Sequence, residues 1–146
     1  MPISDHLLEV SEYTKEGYSP VFDYGEWRVA VMNYADELRP ENLKAMQRHT
    51  ETDEVFVLLR GRCILFLGEG EADVTAVYAE DMQMFKLYNV KKGAWHTHAV
   101  SEDAMVLIVE NRATTLDNSP FCPLSGEQRK AIVDMSRAFN LSSSFL

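Results

Sequence analysis

Basic residues are outnumbered in this chain: 14 Lys plus Arg stand against 23 Asp plus Glu, a formal net charge of -9. A surface of that sign repels phosphate backbones and anionic lipid, so neither nucleic acid nor a membrane surface is an expected partner. Cysteine is nearly absent. Cys63 and Cys122 lie far apart with no C-x-x-C spacing, which excludes a zinc knuckle or a dense disulfide framework and points to a reduced compartment. No window approaches the roughly 18 consecutive apolar residues of a membrane helix. The opening Met1-Pro2-Ile3-Ser4-Asp5-His6 has no basic stretch followed by an apolar run, so a cytoplasmic protein is expected. G-x-S-x-G, a Walker loop, a dinucleotide fingerprint and a calcium loop are all missing, which disfavours serine hydrolysis and phosphate-loop chemistry. There is no internal repeat and no low-complexity tract.

What is present is one domain's worth of core: 146 residues, 46% of them hydrophobic. Most of the chain reads as short strands. Trp27 to Tyr34 is rich in β-formers and stops at a polar stretch containing Pro40. Leu43, Ala45, Gln47 and His49 fall on one side of a second extended stretch, and Thr50 to Asp53 reverses the chain into Glu54 to Leu59. Arg60-Gly61-Arg62 reads as a tight turn making a hairpin with Cys63 to Leu67. Val74 to Tyr78, Met84 to Val90, Trp95 to Val100 and Ala104 to Glu110 follow as further strands, a spacing that favours a sandwich or barrel.

The end of the chain differs. Ser125-Gly126-Glu127-Gln128 matches a capping box, and Ile132, Met135 and Phe139 recur at helical spacing, predicting an amphipathic helix over about 125–140. The tail from Asn140 to Leu146 is expected to fray, and the segment from Ile3 to Tyr24 is ambiguous, with Asp5 a possible cap for a short helix.

Two segments carry the chemistry. In Gln47-Arg48-His49-Thr50-Glu51-Thr52-Asp53-Glu54, a four-residue reversal brings the His49 imidazole and the Glu54 carboxylate together across a hairpin, with Gln47 on the face of His49. In Gly93-Ala94-Trp95-His96-Thr97-His98, the two histidines share a face. Imidazole nitrogen with carboxylate oxygen suits a borderline divalent metal such as Zn, Mn, Fe or Ni. His49, Glu54 and His96, with Gln47 as a weaker fourth ligand, leave room for water or substrate, as Lewis-acid catalysis requires. His98 or Glu51 would then move protons.

The pattern H-x4-E-x6-G from His49 through Glu54 to Gly61, with G-x-x-H at Gly93 and His96, resembles the two motifs of the cupins. Gln47 stands where the first motif has its leading histidine, Glu41 where it has a glycine, Lys91 where the second motif has proline, and Val100 where it has asparagine. The resemblance implies an all-β fold, a double-stranded β-helix of jelly-roll type with its barrel core at about 27–112, a C-terminal helix, and a metal or ligand site inside. It also implies a homodimer. Asn89, Trp95-His96 and Glu110-Asn111-Arg112 are similar in layout to the ureidoglycolate lyase branch of cupin-like proteins. The expected function is metal-dependent lyase or isomerase chemistry on a small polar, carboxylated or sugar-derived metabolite, the alternative being a cupin that binds a small ligand without turnover.

Overall fold

A computed structural model of the chain describes residues 1–141. The expectation for the tail beyond them, from 142 to 146, lies outside the described residues.

Among the described residues, ten strands form two antiparallel five-stranded sheets. They are β1 (Tyr18–Tyr24), β2 (Trp27–Asn33), β3 (Ala45–Gln47), β4 (Glu54–Arg60), β5 (Cys63–Glu69), β6 (Ala76–Asp81), β7 (Leu87–Val90), β8 (Trp95–Val100), β9 (Met105–Asn111) and β10 (Phe121–Pro123). One sheet runs β1-β2-β9-β4-β7 and the other β10-β3-β8-β5-β6. Apart from the β1–β2 and β5–β6 pairs, successive strands cross between the sheets, which is the winding of a double-stranded β-helix.

Side-chain alternation fills the space between the sheets. Phe56 and Leu58 of β4, Val106 and Ile108 of β9, Cys63 and Leu65 of β5 and Val100 of β8 meet in one buried cluster. The outward residues of the second sheet form another. Ile64, Phe66, Trp95 and Ala99 pack with Ile132 of the C-terminal helix α1 (Gly126–Ala138), and Met135 and Phe139 lie against them. Ser125 accepts from the Gln128 amide while the Gln128 side chain accepts from the Ser125 amide, so the capping box holds the helix start as expected.

Three local expectations are corrected. Arg60-Gly61-Arg62 does not close a hairpin, because β4 and β5 lie in different sheets. The turn is a corner, and Gly61 occupies it at φ +72°, where an added Cβ would stand 2.7 Å from the Ala104 Cα. Likewise, Thr50 to Asp53 does not join hairpin partners: β3 and β4 also belong to opposite sheets, and β4 pairs instead with β7 and β9. Finally, the ambiguous N-terminal segment contains β1, which pairs with β2 through a turn at Gly25 with φ +55°. The first residues make only a turn, with the Leu7 amide donating to the Ser4 carbonyl. Leu43 joins the cluster beneath α1, whereas Ala45, Gln47 and His49 line the cavity described next.

Candidate metal centre

A cavity of about 450 Å³ opens between the sheets, and its lining includes Gln47, His49, Glu54, His96, His98 and Glu110. Each arrives by strand parity. Glu54 continues the inward row of Phe56 and Leu58, His96 and His98 that of Val100, and Glu110 that of Val106 and Ile108. His49 lies just beyond β3, held by its carbonyl, which accepts from the Gly93 amide at 2.8 Å. His49 and Glu54 therefore meet across the gap between sheets. The expected contact is made without the expected hairpin.

His49, Glu54 and His96 are all buried, and one ligand atom from each falls within 4.8 Å of the others. The His49 Nε2 is 2.6 Å from Glu54 Oε2, and the His96 Nε2 is 3.1 Å from the same oxygen. The opposite ring nitrogens fix the tautomers. His96 Nδ1 lies 3.0 Å from the Ala94 carbonyl, which can only accept. His49 Nδ1 lies 2.7 Å from Ser119 Oγ, which can accept from it while donating to Asn118 Oδ1 at 3.2 Å. A ring that is neutral and donates from Nδ1 would turn an Nε2 lone pair toward an anionic oxygen. Such a cluster is stable only with a proton or a cation among its acceptors.

The electrostatics agree. Burial alone would raise the Glu54 carboxyl, but the hydrogen bonds and charges of the two imidazoles outweigh it and hold the group well below the usual range. Burial likewise opposes charge on His49, and Glu54 overcomes it, leaving His49 above its ordinary value. The residues fit a divalent ion: two oriented imidazoles, one ionised carboxylate and an open cavity on the remaining side.

Gln47 is paired with His96 across β3 and β8, and its amide nitrogen donates to the Ser119 carbonyl at 3.2 Å. His98 is buried and lines the cavity beyond His96, its ring 4.3 Å from Phe56 between centroids and its Nε2 without a partner among the described residues. Burial, with His96 adding to it, pushes His98 down to about 3. Glu51 is exposed and outside the cavity lining. Its carboxylate accepts from Asn118 Nδ2 at 3.1 Å, so it reaches His49 only through Asn118 and Ser119.

The structure adds three contributors that sequence reasoning missed: Glu110, Tyr18 and Ser119. Glu110 is pushed up to about 7, first by burial and further by neighbouring Glu54, with the Tyr18 hydrogen bond opposing. The Tyr18 hydroxyl donates to Glu110 Oε1, and Arg28 NH1 stands 3.8 Å from the same oxygen. Glu110 shares parity with Val106 and Ile108, a signal visible in the sequence; Tyr18 lies in the segment without a clear pattern, and nothing local marks Ser119.

No family model matches the chain, and no curated protein does. Solved structures do. The capsular polysaccharide assembling protein CapF from Staphylococcus aureus superposes with a TM-score of 0.57 at 14% identity, over 77% of this chain and 34% of CapF, so this chain spans about a third of CapF's length. Pac13 from Streptomyces, a nucleoside dehydratase, gives 0.54 at 9% identity over 79% of this chain and 86% of Pac13. A cupin-2 domain protein from Shewanella frigidimarina gives 0.49 at 18% identity over 68% and 85%. The chain shares the cupin-type β-barrel fold of these structures.

Proposed function

We propose that this chain is a metal-dependent enzyme acting on a small polar, carboxylated or sugar-derived metabolite by lyase or isomerase chemistry. The observation that carries the reading is the convergence of two tautomer-fixed imidazoles on one ionised, buried carboxylate beside a cavity of about 450 Å³. His49, Glu54 and His96 would hold a divalent ion such as Zn, Mn, Fe or Ni, with Gln47 as an optional fourth donor. When bound, the ion would supply Lewis-acid stabilisation of negative charge developing on a substrate oxygen.

The chain's own groups would do the rest. Ser119 and the Ala94 carbonyl orient the two rings, and Glu51 acts on His49 at a distance, through Asn118. His98, expected to move protons, faces the cavity as a neutral ring suited to hydrogen bonding with substrate. Tyr18 and Glu110 place a hydroxyl against a carboxyl, an arrangement able to hold a proton near the reacting atoms. Elimination, whether of urea as in the ureidoglycolate lyase branch or of water as in the reaction named for Pac13, is the first chemistry to test. The second reading, a cupin that binds its ligand without turnover, would use the same cavity and the same buried His98.

The chain is also proposed to be a cytoplasmic homodimer. Among the described residues no helix is long and apolar enough to cross a membrane, and both cysteines are free and buried. The outer face of the first sheet carries two registered apolar rows, Phe22-Val29-Val109-Val55 and Val31-Leu107-Val57-Leu87. No charged residue interrupts either row, so a second copy seated there would bring no like charges face to face along them.

The test of the metal reading is elemental analysis of protein purified without chelators. One equivalent of a transition ion in the wild type, lost in His49→Ala/His96→Ala with the far-ultraviolet circular dichroism unchanged, is the expected result. Equal metal in the double variant would overturn it.

A further inference from the structure

The charges of the cavity limit what can enter it. Arg28 is the only Lys or Arg in its lining among the described residues, and its guanidinium is already engaged. Its Nε and NH2 donate to the two carboxylate oxygens of Asp23 at 2.8 and 3.1 Å, and its NH1 faces Glu110 at 3.8 Å. Glu54 and Glu110 add acidic groups to the same space. An ion held by Glu54 and two imidazoles would accept one anionic oxygen, but a second negative charge finds no free cation.

The uncharged groups point the other way. The Thr114 hydroxyl and the His98 Nε2 are buried without partners among the described residues, and both residues line the cavity. Buried polar atoms that the protein leaves unpaired are satisfied by ligand hydroxyls or water. At the open side, Leu116 and Phe121 also line the cavity while remaining largely exposed, offering an apolar surface to a ring.

From this inventory we infer that the cavity takes an uncharged, hydroxyl-bearing ring compound, a glycoside or nucleoside in type, and discriminates against phosphate monoesters of the same ring. The inference rests on the cavity being the substrate site and, within the proposed class, favours the sugar-derived members over the carboxylated ones.

Matched pairs test it. Full-length protein, metal-loaded and metal-stripped, is titrated calorimetrically with methyl glucoside against glucose 6-phosphate and with inosine against inosine 5′-monophosphate. The neutral member of at least one pair is expected to bind ten-fold or more tightly than its phosphate, in both metal states, because Arg28 is neutralised in each. Equal or tighter binding of the phosphates overturns the inference. So does failure of both neutral compounds to bind at 10 mM.

Asp23→Asn removes the forked partner of Arg28 without touching the ligand, so phosphate affinity should rise and the discrimination shrink at least three-fold; an unchanged ratio overturns the role given to Arg28. Thr114→Val should weaken the neutral ligand several-fold with its circular dichroism unaltered, and unchanged affinity removes that hydroxyl from the site. If the wild type takes up no metal yet keeps the neutral preference, the metalloenzyme reading fails and this one stands. If metal binds and the preference is absent, this one fails alone.

Discussion

Loading of metal into the stripped protein should release a single proton, and the pH dependence of metal affinity should show it. In the absence of metal, His49 Nε2 and Glu54 Oε2 lie 2.6 Å apart, and Glu54 holds His49 above its ordinary 6.5 while His49 and His96 hold Glu54 below its ordinary 4.5. Between those values the pair carries one proton that a metal ion must displace, because the ligand is the neutral ring. Apparent affinity should therefore rise ten-fold per pH unit from about pH 5 to pH 6.5, about 1.4 kcal/mol per unit, and level off above the raised His49 value. Stability of the stripped protein follows the opposite limb for His49. A raised folded value contributes stability that is complete below 6.5 and is lost as pH climbs through the higher value; the lowered Glu54 contributes stability present above 4.5 and lost as pH falls. Manganese titrations from pH 5 to 8, with proton release measured in buffers of different ionisation enthalpy, read the slope directly. A slope of zero would mean that no proton is held between His49 and Glu54 in the stripped protein, which refutes the shared proton.

Three further outcomes are expected. Ser119→Ala removes the acceptor that orients the His49 ring at 2.7 Å, so metal affinity measured by competition with a chelator should drop about ten-fold while circular dichroism stays unchanged. Gly61→Ala forces a Cβ to within 2.7 Å of the Ala104 backbone at φ +72°, and urea unfolding should show a loss of about 1–3 kcal/mol; a neutral substitution would mean the corner relaxes freely. Val57→Lys places a charge within the apolar rows and should yield a monomer by light scattering, with metal content equal to that of the wild type. A wild type that is already monomeric would remove the dimer proposal.

Strand parity makes much of the site legible in the sequence. His49, Glu54 and His96 converge because each sits at the end of a strand whose inward positions alternate with outward ones, and alternation is a property of the backbone that the residue pattern displays. Partner choice is another matter. The β4 to β5 connection contains a glycine between two apolar runs, which is equally the signature of a hairpin and of a corner between sheets; only the apolar character of both faces of β5, one under α1 and one in the barrel, separates them, and that needs the helix already placed. The same ambiguity makes Thr50 to Asp53 read as a reversal within one sheet. Tyr18 and Ser119 are out of reach for a different reason. They come to the site from 92 and 70 residues away from the side chains they bond, and no local pattern encodes a contact at that separation.

The distribution of charge ties these elements together. Glu54 and Glu110 reach the cavity from neighbouring strands, β4 and β9, and their surroundings push them apart: two imidazoles keep Glu54 ionised, while burial and the Glu54 charge keep Glu110 high, at about 7. A pair of carboxyls set at different values is how one fold supplies an anion to hold a cation and a protonated partner beside it. Arg28 cannot undo that division, because Asp23 holds its guanidinium from the opposite side. Removing Asp23 should therefore do two things at once: release Arg28 toward Glu110, lowering that carboxyl toward the ordinary range, and open the cavity to a second negative charge. A change in ligand selectivity without any change in Glu110, followed by the carboxyl stretch in infrared difference spectra of Asp23→Asn and the wild type, would separate the two effects and show that Arg28 governs selectivity alone.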